Sequence, residues 1–172
     1  MITLVAAMDE SRLIGANGDL PWRIPEDLKH FKRTTLDGVM VMGSTTWKSF
    51  GGRTLPRRHH VVLTRNVHTL DIHPDDAENV SVVSSLDLAI LVAQDEASAR
   101  GVEDIFIVGG ADVYRQTIGR AERLILTQVN GDHNGDTYFP EIGPEWEVTS
   151  KSEEVESNGH TYSIVTYSRQ DL

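Results

Sequence analysis

Ile105-Phe106-Ile107-Val108-Gly109-Gly110-Ala111-Asp112-Val113-Tyr114 reads as four apolar residues, a glycine pair and the start of a helix reaching about position 118. A short unbroken apolar run bounded by turn residues fits a strand buried on both faces. The pattern recurs at Val39-Met40-Val41-Met42, followed by Gly43-Ser44-Thr45-Thr46 and a short helix through Phe50. Residues 2–7, 60–64, 80–83 and 124–129 are further strand candidates. Residues 25–35 and 86–99 read as helices, the second from Leu86, Ala89, Ile90, Ala93 and Ala97 on one face. Strands alternating with helices predict an α/β fold: a single domain over 1–172, with a mostly parallel central sheet of about eight strands flanked by helices. Trp146 and Val148, then Tyr162, Ile164, Val165 and Tyr167, predict a C-terminal antiparallel hairpin turning around Ser157-Asn158-Gly159. Residues 65–79 are polar and acidic and read as a surface connection.

The composition narrows the function. Hydrophobic residues make up 39% of the 172, enough for a real core, and no run approaches the roughly 18 apolar residues of a membrane span. The first residues lack a basic segment and reach Asp9 too soon for a signal peptide, so a cytoplasmic chain without a membrane partner is expected. No cysteine is present, which excludes disulfides, thiolate nucleophiles and cysteine metal sites. The histidines are adjacent (His59, His60) or scattered, and no metal site is expected. With 26 acids against 16 bases the net charge is −10, which argues against a nucleic-acid partner.

The segment Leu20-Pro21-Trp22-Arg23-Ile24-Pro25-Glu26-Asp27-Leu28-Lys29-His30-Phe31 carries the most chemistry. Pro25 fits the first position of a helix. Asp27 and Phe31 are four apart and share a helical face. Taken alone, Glu26 and Asp27 read as first-turn charges complementing the helix dipole. An acid beside aromatic and aliphatic groups also suits a flat ligand with N–H donors on one edge. The turns at residues 43–46 and 109–111 have the small residues, hydroxyls and free backbone N–H groups that two ends of a dinucleotide need, although every parallel strand requires a turn. Arg65, after the strand ending at Thr64, could grip a phosphomonoester, and Arg53, Arg57 and Arg58 form a second basic cluster suited to a carboxylate. The loop from Asp9 to Ile24 is long enough to be functional.

These pieces, in their order and spacing, resemble the dihydrofolate reductases nearly end to end, in the bacterial form: Ile14-Gly15, Leu20-Pro21-Trp22 with Pro25, Asp27 and Phe31, Val41-Met42-Gly43 with Thr46-Trp47, Leu55-Pro56-Arg57-Arg58, Ile107-Val108-Gly109-Gly110 with Val113-Tyr114, Leu126-Thr127, and Gly135-Asp136-Thr137 with Phe139-Pro140. The resemblance implies reduction of 7,8-dihydrofolate to tetrahydrofolate by hydride transfer from NADPH to C6 with protonation of N5. Asp27, with Thr127, Trp22 and Leu20, would form the catalytic set. Val5, Leu28, Phe31, Phe50, Arg53, Leu55, Arg58, Val108 and Tyr114 would complete the substrate site, Arg58 taking the glutamate α-carboxylate.

For NADPH the resemblance implies Ala7, Ile14, Gly15, Asn17, Gly18, Asp19 and Leu20 around the nicotinamide. It places Gly43, Ser44, Thr45, Thr46, Gly109, Gly110, Ala111, Asp112, Val113, Tyr114 and Gln116 along the phosphates. Leu63, Thr64, Arg65 and Ser84 would lie at the adenosine end. Relatives hold the peptide matching Gly109–Gly110 in the cis form, and many carry an arginine where this chain has Ser44. Folate-like partners, a monomer and a lid over residues 9–24 are also implied. The pyrimidine reductases of riboflavin synthesis share the fold and cofactor, but Trp22, Asp27 and Arg58 weigh against them, because that substrate has no glutamate tail. The other alternative is a non-catalytic nucleotide-binding module with Asp27 as a plain helix cap.

Overall fold

The computed structural model describes residues 1–15 and 21–170. Its strands are β1 (Ile2–Met8), β2 (Leu13–Gly15), β3 (Val39–Gly43), β4 (His59–Leu63), β5 (Val80–Val83), β6 (Ile105–Ile107), β7 (Arg123–Val129), β8 (Thr137–Tyr138), β9 (Trp146–Lys151), β10 (Val155–Ser157) and β11 (His160–Arg169). Its helices are α1 (Pro25–Thr34), α2 (Ser44–Ser49), α3 (Leu86–Arg100) and α4 (Ala111–Thr117), with a 3₁₀ helix at Pro74–Asn79.

Six parallel strands run in the order β7-β1-β6-β3-β4-β5. β11 joins β7 antiparallel, and β9 and β10 both pair with β11, making nine strands. β2 and β8 form a separate two-stranded ribbon.

The apolar runs become central strands because both faces of the sheet are covered. Val39, Met40, Val41 and Met42 are each 0% exposed. Each such side chain contributes about 1.5–3 kcal/mol by leaving water, so burial decides where β3 lies. Along β1, Leu4 packs into the cluster that includes Ala89, Ile90 and Ala93 of α3, while Val5 packs with Met40, Met42 and Trp47 on the opposite face. α3 starts at Ser85, whose hydroxyl accepts from Leu88 N, and stops at Gly101 in the left-handed region.

Two expectations needed correction. Trp146 and Val148 do pair antiparallel with β11, opposite Arg169 and Tyr167, but the turn at Asn158-Gly159, both at positive φ, joins β10 rather than β9 to β11. The chain interrupts itself at Ser152, whose N–H donates to Ile164 O while its hydroxyl accepts from Ile164 N, so β9 and β10 occupy successive halves of one β11 edge. The 65–79 connection is not all surface either: its 3₁₀ helix buries Asp76.

Parallel strands end at one edge of their sheet, and α2 and α4 begin there, after β3 and β6. That edge opens into the cleft described next.

Candidate active site

α1 has no fully buried residue, although it is amphipathic. Its apolar face lines a cleft of about 1670 Å³ rather than packing wholly on the core. A single-ligand site usually measures roughly 300–1,000 Å³, so this one has room for two.

Asp27 sits on that face. The helix starts at Ile24 with Pro25 in the first position, and no side chain caps it, so Asp27 is not serving as a cap. Its carboxylate instead accepts a hydrogen bond from Thr127 Oγ1 at 2.5 Å, across 100 residues of sequence. Thr127 is 2% exposed on β7, where Ala7 of β1 is its register partner. Burial raises the Asp27 carboxyl above its ordinary value, and the Thr127 bond and the nearby His30 offset only part of that. Tyr114 of α4 donates its buried phenol to Val5 O at 2.6 Å, and burial, reinforced by the Asp27 charge, pushes that phenol up.

Trp22 is 6% exposed, lines the cleft and packs with Ile24, Val129 and Tyr162. Its Nε1 has no partner among the described residues, which leaves a donor free for a ligand or water. Behind it the His133 ring stands edge-on at 5.2 Å. His133 is held in turn by fully buried Asp9, through its backbone N–H at 2.8 Å and Nδ1 at 3.2 Å.

Val5, Leu28, Phe31, Phe50 and Val108 line the same end of the cleft, with Phe31 and Phe50 6.0 Å apart between ring centroids. Leu55 lies outside the lining, packed beneath these rings in the Met40–Trp47 cluster. Arg53 departs from the expectation of a cleft residue. Its Nε donates to Asp76 Oδ2 at 2.7 Å, and Asp76 also accepts from the Thr54 hydroxyl at 2.8 Å, which holds the acid at a pKa of about 2.

Arg58 is 4% exposed and also lies off the cleft lining. It donates through Nε to Thr35 Oγ1 at 2.9 Å, through Nη1 to Pro56 O at 2.5 Å and through Nη2 to Lys32 O. A guanidinium has five N–H groups, so these bonds fix its plane and leave one N–H on each terminal nitrogen.

At the other end, α2 and α4 begin at Gly43 and Gly110 with no side-chain cap, so their first-turn N–H groups are available to an anion. Gly43 N donates to Gly109 O at 2.8 Å, which ties the two turns together. The Gly109–Gly110 peptide is cis, and Gly109 has φ +125. A Cβ at Gly109 would stand 3.0 Å from Thr46 Oγ1, so the close approach of these turns requires a glycine there.

Ala7, Ile14, Gly15, Ser44, Thr45, Thr46, Ala111, Asp112, Val113 and Gln116 line this part of the cleft, and Leu63, Thr64, Arg65 and Ser84 complete it. Uncapped helix starts, hydroxyls and an arginine form a donor set that fits a phosphorylated dinucleotide. Asn17, Gly18, Asp19 and Leu20 lie outside the described residues. His30, Ser49, Thr137 and His160 also line the cleft and were not anticipated. His30 could have been found from its spacing of three after Asp27. His160 carries no local signal, being brought in by the hairpin turn. Among the described residues no cluster of His, Asp and Glu is placed to hold a metal ion, and no helix is long and apolar enough to cross a membrane.

Comparison with known proteins agrees with this geometry. The family model for dihydrofolate reductase matches residues 1–169. Dihydrofolate reductase HdrB of Haloferax volcanii is 44% identical over 170 residues, covering 97% of this chain and 82% of its own. The type 3 dihydrofolate reductase of Salmonella typhimurium is 38% identical and covers 99% of both chains. A solved structure of the Enterococcus faecalis enzyme, complexed with NADP(H) and RAB-propyl, superposes with a TM-score of 0.82 at 32% identity, over 99% of this chain and 97% of that one. With the family model matched over residues 1–169, relatives aligned nearly from end to end and a solved structure of the same fold, the chain belongs to the dihydrofolate reductase family.

Proposed function

We infer that the protein reduces 7,8-dihydrofolate to 5,6,7,8-tetrahydrofolate with NADPH, supplying one-carbon and thymidylate metabolism, and that residues 1–172 act as one domain. The observation that carries this reading is a half-buried carboxylate, Asp27, held by Thr127 in the wall of a cleft with room for two ligands.

NADPH supplies the hydride that reaches C6 of the substrate. The ionised Asp27 accepts from the pterin 2-amino group and the adjacent ring N–H. It thereby stabilises the cationic pterin formed when N5 takes a proton from water, and raises the fraction ready for reduction. Thr127 orients that carboxylate, and Trp22 Nε1 offers the nearby donor. Phe31, Phe50, Leu28, Val5 and Val108 hold the flat rings and exclude water, with Leu55 supporting them from below. The two remaining N–H groups of Arg58 suit the glutamate carboxylate, since a planar fork donates two parallel bonds. Arg53, committed to Asp76, is left out of this set.

For the cofactor, Ala7, Ile14 and Gly15 would hold the nicotinamide, and the starts of α2 and α4 the pyrophosphate. Arg65 would hold the adenosine phosphate. Ser44 supplies no charge, and the arginines lining the cleft among the described residues are Arg23 and Arg65. The protein acts as a cytoplasmic monomer, the family default, and takes folate-like inhibitors in the same cleft. Its net charge of −10 supports the absence of a nucleic-acid partner.

The test is NADPH consumption with and without dihydrofolate, for wild type and Asp27→Asn. Wild type should oxidise NADPH only with dihydrofolate present. The variant should fold and bind cofactor but turn over at least about 100-fold more slowly at neutral pH. Wild type without dihydrofolate-dependent oxidation would overturn the reading.

A further inference from the structure

Two titratable side chains stand on the wall that α1 gives to the cleft. His30 follows Asp27 by three residues, so both share one helical face, and both line the cleft. Thr34 Oγ1 donates its proton to His30 O at 2.8 Å. The same oxygen lies 3.5 Å from His30 Nδ1. His30 Nε2 is buried and has no hydrogen-bond partner among the described residues. Burial holds this imidazole below its ordinary value, and the anion one helical turn away, Asp27, offsets part of that.

The surrounding groups leave these two as the pair that exchanges charge. Arg33, also on α1, opposes a proton on His30, and burial opposes it more strongly. Tyr162 of β11 and Tyr114 of α4 both sense the Asp27 charge, and burial keeps both phenols protonated.

We propose that His30 is a positioning residue for the proton chemistry of the site: it forms one titrating unit with Asp27, and its protonation holds Asp27 ionised while opposing positive charge on a bound pterin. The pairing itself needs no ligand, whereas its effect on turnover rests on the reductase reading.

Two measurements separate these parts. In ligand-free protein the His30 ring, assigned through its backbone, is titrated by NMR from about pH 4 to 8. Asp27→Asn should lower its midpoint by at least about half a pH unit through loss of the anion. An unchanged midpoint overturns the pairing. In single-turnover hydride transfer with NADPH and dihydrofolate, the wild-type rate should fall at the acid end of its profile. His30→Gln should shift the midpoint of that acid limb by at least about half a pH unit, because Asp27 loses its neighbouring cation, with KM moving less than about threefold. An acid limb whose midpoint is unmoved in His30→Gln overturns the role in turnover. A wild type with no dihydrofolate-dependent turnover strikes the reductase reading instead and leaves the titration to decide the pairing.

Discussion

Burial holds the Asp27 carboxyl above its ordinary value, and the Thr127 hydroxyl at 2.5 Å offsets only part of that. The folded chain therefore binds this proton more tightly than the unfolded chain does. The ionised form destabilises the fold at neutral pH, and that cost fades as the pH falls and the carboxyl protonates. Asp27→Asn should consequently melt above wild type at pH 7 while losing turnover, and the gap between the two melting curves should narrow on acidification. A variant melting below wild type at pH 7 would mean that the Thr127 bond outweighs the burial cost. Arg65 is exposed at the far end of the cleft and makes no ion pair among the described residues. Arg65→Ala should weaken NADPH binding by about tenfold through loss of one charge-assisted phosphate bond, and NADH by less than about threefold. Titration of both cofactors checks this, and equal weakening would contradict the assignment.

Among the elements, β4 carries two buried histidines on opposite faces of the sheet. His59 Nε2 lies 2.8 Å from Ser81 Oγ, while His60 Nε2 accepts Leu55 N–H at 3.1 Å and its ring stands edge-on to Trp47 at 5.8 Å. Burial lowers His60 to about 4. The unfolded imidazole titrates near 6.5, so between about pH 6.5 and 4 the unfolded chain takes up a proton that the folded one refuses. Stability should decline through that window by up to about 3 kcal/mol, which urea unfolding at pH 7 and about pH 4.5 would measure. A flat profile would rule it out. Asp76 acts in a separate, lower window: Arg53 and Thr54 hold it at about 2, so its contribution is lost only as the pH falls from about 4 toward 2.

Elements differ in how openly their letters announce them. β3 and β6 are readable because strands covered on both faces are written as unbroken apolar runs. β2, β8 and β10 are too short for any periodicity. The β2–β8 ribbon is held by distant partners, such as Arg12 Nη1 to Phe139 O at 2.7 Å. Asp27 is readable because Pro25 sets the helix start and Phe31 shares its face. Arg53 misleads because the acid that captures it lies 23 residues on, in a stretch whose polarity suggests only surface.

Across the whole molecule the net charge of −10 is unevenly spread. From position 141 to 156, Glu141, Glu147, Glu153, Glu154 and Glu156 are exposed beside a single cation, Lys151. These charges discourage another chain from pairing along β9 and β10, but they also repel one another in the compact state. Salt screens such repulsion, with a Debye length near 3 Å at 1 M. The melting temperature should therefore rise between about 10 mM and 1 M KCl, as followed by circular dichroism. A fall over that range would show that the surface ion pairs, such as Arg57–Asp37 and Arg120–Asp87, matter more than the excess of like charge.

β11 sits between β7 on one side and β9 and β10 on the other, and its Tyr162 closes the cluster around Trp22 and Ile24. It is also the last of these strands to be synthesised. A nascent chain can assemble the six parallel strands while residues 160–169 are still inside the ribosomal tunnel, but the Trp22 wall stays unfinished and the β7 edge unpaired until those residues have left it. That interval is when the newborn protein is most exposed to proteases and most in need of a chaperone.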